Sequence, residues 1–305
     1  MKNITTKQFQ PLTDINLAWD FMAEVYDNRF ANGIAAPFFE YALMSSWMDK
    51  NYLYLNRFWF DGNKVVAFVF YENPASDIYF NLRPGYEGLA AELLDYAEQH
   101  MPNFGEQTLV LFSGQKALIQ EAEKRGYHLE WEETDYIFDF IKGDLKFPLP
   151  EGFHFVDPME ADPVKLSVCM WKGFDHEDKG PFEQWDAKIE GEAWTPQRAY
   201  NGVIGPIMAP PPHATFWHNV IIADEKEEYI CFSGMWYVEE NKLAYMEPLC
   251  TVPECRGKGL AAAALSEHCR RLKPLGAEMM TGGSNEFYKK IGYEDGILWL
   301  HYKKK

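Results

Sequence analysis

The chain has 305 residues, more than one typical domain of about 100–200, and its 47% hydrophobic and 16% aromatic content suffices for packed cores. A net charge of −17, with 12 Lys/Arg against 22 Asp/Glu in residues 1–150 and 17 against 24 in residues 151–305, argues against nonspecific nucleic-acid binding, which needs a basic surface. Acidity spread over both halves serves solubility; a second reading is attraction of a cationic amine substrate. No apolar run approaches 18 residues, so no membrane helix is expected. Met1 to Gln8 has no apolar stretch of the signal-peptide kind. The five cysteines (169, 231, 250, 255, 269) form no Cys-x-x-Cys pair, which points to reduced thiols in the cytoplasm and to no metal site.

Apolar residues at 17, 18, 21, 22 and 25 have a helical period, and Phe38 to Met48 predicts a second helix. Tyr52 to Phe60 and Val65 to Tyr71 read as strands joined by the turn signal Asp61-Gly62, with Ile78 to Leu82 as a third. Pro84-Gly85-Tyr86-Glu87-Gly88 then leads into an alanine- and leucine-rich run. Asp135 to Ile141 is an aromatic strand, and Gly143 to Gly152 reads as a linker.

The second half opens with Phe153 to Val156 as a strand and Val164 to Phe174 as a helix. Asp175 to Tyr200 is rich in acids and aromatics, including Asp175, His176, Asp186, Glu190, Glu192 and Trp194. It reads either as a cation-binding wall or as a solvated face with aromatic anchors. Pro206 to His213 is expected to be a stiff loop, and Phe216 to Ala223 and Tyr229 to Tyr237 to be strands.

The most telling stretch follows. An apolar strand, Leu243 to Val252, stops at Pro253; Arg256-Gly257-Lys258-Gly259 forms a tight basic loop, and an alanine-rich helix runs from Leu260 to Leu272. Glycines at 257 and 259 let consecutive backbone N–H groups turn toward one anion at the helix N-terminus. Ala261 excludes a P-loop, which needs a metal-binding hydroxyl, and a third glycine is missing for a dinucleotide fingerprint.

Arg256-Gly257-Lys258-Gly259-Leu260-Ala261 after Val252-x-Pro resembles the acyl-CoA loop of the GNAT family of N-acetyltransferases, Gln/Arg-x-x-Gly-x-Gly/Ala. Tyr288-x-x-x-Gly292-Tyr293 resembles the family's closing motif. The resemblance implies acetyl-CoA as co-substrate, held in a sheet opening by Cys250, Thr251, Val252, Arg256, Gly257, Lys258, Gly259, Leu260, Ala261 and Asn285. Asn285 departs from the pattern: it lies three residues before Tyr288, and Thr281 stands where the family has its asparagine.

The first half carries a weaker copy. Pro84 to Leu94 parallels Pro253 to Leu265, and Glu123 to Tyr127 parallels Lys289 to Tyr293, at offsets of 171 and 166 residues. Glu87 stands where the second copy has Arg256, and Ala122 where it has Tyr288. A carboxylate there repels a diphosphate. The expected organisation is therefore α+β in αβα layers. Residues 1–145 form a degenerate GNAT-like domain without a cofactor loop, and residues 146–305 a catalytic one. Each is a mixed twisted sheet flanked by helices.

Acyl transfer to an amine needs a base for the ammonium and an acid for the leaving thiolate. Glu247, flanked by Tyr245, Met246 and Leu249, is the candidate base, and the resemblance assigns Tyr288 as the acid. The rival reading of each is a substrate-contacting carboxylate and a packed core tyrosine. Trp171, Asp175, His176 and Trp236 are candidates for the acceptor, a small-molecule or peptide amine. Cys250 invites an acyl-cysteine step but has no histidine close in sequence, and His268 reads as a surface or packing residue rather than a base. The implied activity is direct acetyl transfer to a primary amine. Alternatives are a non-catalytic acyl-CoA sensor or scaffold and an aminoacyl-tRNA-dependent transferase, the latter opposed by the intact loop and the acidic surface.

Overall fold

The computed structural model describes residues 3–185, 194–208 and 210–304. Chain order begins β1 (Ile4–Gln8), α1 (Ile15–Glu24), α2 (Ala36–Met44), β2 (Arg57–Asp61), β3 (Lys64–Tyr71), β4 (Asp77–Leu82), α3 (Ala90–His100), β5 (Thr108–Phe112), α4 (Lys116–Lys124) and β6 (Tyr127–Asp139). It continues β7 (Phe153–Val156), α5 (Pro163–Gly173), α6 (Pro196–Met208), β8 (Val220–Asp224), β9 (Tyr229–Val238), β10 (Leu243–Thr251), α7 (Leu260–Leu272), β11 (Met279–Thr281), α8 (Glu286–Lys290) and β12 (Glu294–Lys304).

These elements make two compact units. Unit 1 comprises Met1–Leu43, Met48–Tyr136 and Asp295–Lys305; unit 2 comprises Met44–Trp47 and Ile137–Glu294. In unit 1 the strand order is β1-β2-β3-β4-β5-β12-β6, with β4 and β5 parallel. In unit 2 it is β7-β8-β9-β10-β11 followed by the last residues of β6, with β10 and β11 parallel. The strands that close the two units are thus exchanged along the chain. The chain's C-terminal strand pairs with β5, Trp299 opposite Phe112, while Ile137 to Asp139 pairs with β11. Both units are α+β, a mixed sheet flanked by helices.

In unit 1 one sheet face carries an aromatic ladder, Phe58 stacked on Phe68 at 4.3 Å, Phe68 on Phe70 at 5.0 Å and Phe70 on Tyr79 at 5.4 Å. Phe39 of α2 meets this ladder edge-on. On the other face Tyr96 of α3 packs against Trp59, whose register partner is Ala67, the neighbour of Phe68. In unit 2, Gly173 of α5 abuts Cys250, the register partner of Phe232, while His268 of α7 bonds to Ser233. Adjacent strand residues point to opposite faces, so α5 and α7 sandwich β9 and β10.

Three local expectations change. Tyr52 to Phe60 is not one strand: Asp49 caps a 3-10 helix over Lys50–Leu55, accepting from Asn51 N, and β2 begins only at Arg57. Asn56 sits between them and cannot continue a pattern, since its carboxamide and carbonyl accept from Tyr71 N and Phe9 N. The expected stiff loop from Pro206 is helical as far as Met208. Phe216–His218 is a 3-10 turn, and β8 starts at Val220.

Candidate active site

The site is built where two parallel strands part. β10 pairs with β11 only through Leu243 opposite Met279 and Ala244 opposite Met280. Beyond that, Met246 N donates to Thr281 Oγ1 at 2.8 Å, so a buried side chain stands where the next backbone bond would be. β10 also bulges against β9, with a register shift between Met246 and Leu249. Gly234 permits it: a Cβ there would overlap the Glu247 carbonyl oxygen and stand 3.0 Å from Pro248 Cδ. Glu247 is thereby carried, half-buried, on the bulge opposite Gly234.

At the far end of β10 the chain turns through Pro253–Cys255 into the basic loop. Gly257 and Gly259 have φ of +75° and +87°, the left-handed region that glycine enters at little cost, and nothing lies within 4 Å of a Cβ at either. Gly259 is the N-cap of α7 and supplies no side chain, so among the described residues no side-chain cap closes that helix start. The loop is an open turn of backbone N–H groups under a helix dipole, and its geometry fits a diphosphate. Lys258 Nζ lies 3.4 Å from Cys255 Sγ and 5.9 Å from the Phe153 ring centroid.

Arg256 is committed elsewhere. Its Nε donates to Thr251 O at 3.1 Å, and its Nη2 to Gly173 O at 2.9 Å and to the Asp175 carboxylate at 2.9 and 3.0 Å. The guanidinium thus joins the end of β10 to the end of α5. Across the opening, Asn285 caps α8, its Oδ1 accepting from Phe287 N at 2.8 Å. Tyr288 is buried on that five-residue helix, its ring 5.2 Å from those of Phe287 and Tyr293. Gly283 makes room for it, since a Cβ there would stand 3.3 Å from the ring.

Residues 173–293 match the family model described as Acetyltransferase (GNAT) family. Those residues form a GNAT domain. No curated protein sequence matches the chain. Solved structures extend the likeness in fold. A tandem GNAT protein from the clavulanic acid biosynthesis pathway is 12% identical with a TM-score of 0.61, covering 99% of this chain and 98% of that one. A GCN5-related N-acetyltransferase from Sphaerobacter thermophilus is 12% identical with a TM-score of 0.58, covering 99% and 95%. A conserved protein of unknown function from Bacteroides thetaiotaomicron is 12% identical at 0.57, covering 99% and 100%.

Within the GNAT domain the remaining site residues fall into two groups. Thr251 Oγ1 contacts Cys231 Sγ at 3.4 Å, Val252 N bonds to Ile230 O, and Leu260 and Ala261 open α7. The Cys250 side chain is buried against α5: a Cβ on Gly173 would stand 2.7 Å from its sulfur. What Cys250 can offer a ligand is therefore backbone. Burial pushes the neighbouring Cys231 thiol up to about 12, and a hydrogen bond with Cys250, helped by burial, raises Cys169, so both thiols stay protonated.

The acceptor candidates sit in and beside an aromatic cluster. Trp171 is fully buried and gives its indole N–H to Gly180 O at 3.0 Å, so it acts as a packing anchor. His176 lies 5.0 Å from the rings of both Trp171 and Trp194, and Trp194 stacks on toward Trp47. Trp236 is buried on β9 opposite Tyr245. Asp186, Glu190 and Glu192 lie outside the described residues. His268 is fully buried, bonded to Ser233 at 2.9 Å, and burial lowers it to about 3, so it stays neutral. Sequence reasoning missed Gly234, although a glycine inside a strand signals a bulge, as does Pro248 on β10.

Unit 1 has the same strand–loop–helix–strand arrangement, filled from within. β4 and β5 pair through Asp77, Ile78 and Tyr79 and then part. There Leu82 N donates to Asn32 O and Asn81 Nδ2 to Ile34 O, both at 2.8 Å. Gly33, at φ +121°, is pressed so closely that a Cβ would stand 2.6 Å from Asn81 Cα. The buried Gln115 side chain bridges the two strands, taking Phe112 N at 3.0 Å and giving to Phe80 O at 2.6 Å. In the loop after β4, Glu87 Oε1 accepts from Gly85 N at 2.9 Å.

Proposed function

We propose that the GNAT domain transfers an acetyl group from acetyl-CoA directly to a primary amine, and that residues 1–145 form a degenerate copy that holds no cofactor. The observation that carries this reading is the parting of β10 and β11 in front of a glycine loop with open space at both Cβ positions. Acetyl-CoA brings the activated acyl group. The backbone of residues 257–261 and Lys258 would hold its diphosphate, and the backbone of Cys250 to Val252 would align its arm. Glu247 takes a proton from the acceptor nitrogen as the C–N bond forms. Tyr288 returns one to the thiolate as the C–S bond breaks, a phenol being of comparable basicity. The half-buried setting of Glu247 and the buried one of Tyr288 support these roles, since both limit the access of bulk water to the two groups.

The test is thiol release from acetyl-CoA across a panel of primary amines. Glu247→Gln is expected to lower kcat by about 10²- to 10⁴-fold and Tyr288→Phe by about tenfold or more, with acetyl-CoA affinity nearly unchanged in both. Tight binding of acetyl-CoA without turnover of any amine by the parent protein would instead favour an acyl-CoA sensor.

A further inference from the structure

We infer that one guanidinium, that of Arg256, is shared between Asp175 and the cofactor's diphosphate, so that Asp175 opposes acyl-CoA binding and is released by it. This rests on the reading of residues 257–261 as the diphosphate cradle.

Arg256 stands directly before that cradle, yet its Nε and Nη2 are bonded elsewhere. Two of these bonds go to neutral carbonyls, Thr251 O and Gly173 O, which end β10 and α5. Among the described residues, the one full charge that it meets is Asp175, at 2.9 and 3.0 Å. Asp175 has φ +60°, an uncommon conformation for a residue with a side chain, and it lies two residues after the end of α5.

The two side chains are 44% and 56% exposed, and an ion pair so open to water is weak. A diphosphate carries more charge and accepts two parallel bonds from a guanidinium, so it takes Arg256 from the carboxylate. The coupling is reciprocal: whatever Asp175 subtracts from cofactor affinity, the cofactor subtracts from the ion pair. Once released, the carboxylate lies one residue from His176 and its aromatic neighbours. The acceptor chemistry it suits is a protonated amine, bound after the cofactor.

Calorimetric titration with coenzyme A tests this in the full-length chain, with Asp175→Asn as the variant. Asparagine tolerates the left-handed conformation, so the backbone is kept. Coenzyme A is expected to bind Asp175→Asn about two- to fivefold tighter than the parent, the weight of an exposed ion pair. Asp175→Glu should restore the parent's affinity. Arg256→Gln should weaken binding, and adding Asp175→Asn to it should then change nothing. Equal or weaker binding by Asp175→Asn, with the parent binding normally, overturns the inference and leaves the cradle reading intact. No binding by the parent removes the cradle reading, and this inference with it.

Discussion

Two parallel strand pairs, β4 with β5 in unit 1 and β10 with β11 in unit 2, part after two or three residues, and they differ in what occupies the gap. In unit 1 the chain itself does so: Asn32 O takes Leu82 N, the Gln115 side chain bridges Phe112 N and Phe80 O, and the Asn81 side chain is spent on Ile34 O. The Glu87 carboxylate sits on an N–H of the loop where the GNAT domain has its basic pair. In unit 2 the buried Thr281 hydroxyl holds the fork apart, and the glycine loop stays open. A slot can be kept by a fold and lost as a binding site through a few polar groups, because unmet backbone groups are costly and any partner that reaches them first will stay.

Gly257→Glu breaks this contrast most severely. It gives unit 2 the carboxylate that unit 1 already has, on a residue with φ +75°. Acetyl-CoA affinity should fall by about 100-fold or more, from like-charge repulsion and left-handed strain together, as read by titration. Gly33→Ala probes the opposite side. Its Cβ has no room beside Asn81, and its φ of +121° disfavours a side chain, so unfolding should be easier by roughly 2 kcal/mol or more. Acetyl-CoA affinity should be unaltered if the filled slot only supports structure.

The smallest effect concerns Asp135, which accepts from Trp299 Nε1 on the exchanged strand β12 at 2.8 Å. Burial, helped by Glu133, pushes its carboxyl up to about 7. The folded chain therefore keeps this proton from about pH 4, where the unfolded chain loses it, to about pH 7. Across that window the folded state binds more protons, so its stability falls as pH rises and levels off above. Asp135→Asn should leave Tm near the parent's at pH 4 and raise it by several degrees at pH 8.

What could be read from the sequence was what local chemistry dictates. Gly257 and Gly259 are demands of one turn, and the strand–loop–helix order around them follows from three adjacent patterns. The internal repeat was legible for the same reason. Gly126 and Gly292 both follow a short helix at positive φ, 166 residues apart, and both precede an aromatic strand. The exchange of closing strands was not legible, because β6 and β12 carry similar aromatic patterns and nothing in either specifies its neighbour. Asn32 and Gln115 act through bonds to residues far along the chain, which no periodicity announces. Trp171 and Arg256 mark the other limit. A tryptophan near an acceptor region reads equally as wall or anchor, and only its full burial and the Gly180 bond decide for anchor. An arginine opening a phosphate loop reads as a phosphate ligand alone, and its contacts with Gly173, Thr251 and Asp175 appear only in the structure.

The most direct measurement is the stoichiometry of acetyl-CoA binding to the full-length chain by isothermal titration. An open slot in unit 2 and a self-filled one in unit 1 predict one site per chain, abolished by Gly257→Glu. Two sites per chain, or a site that survives that substitution, would contradict it.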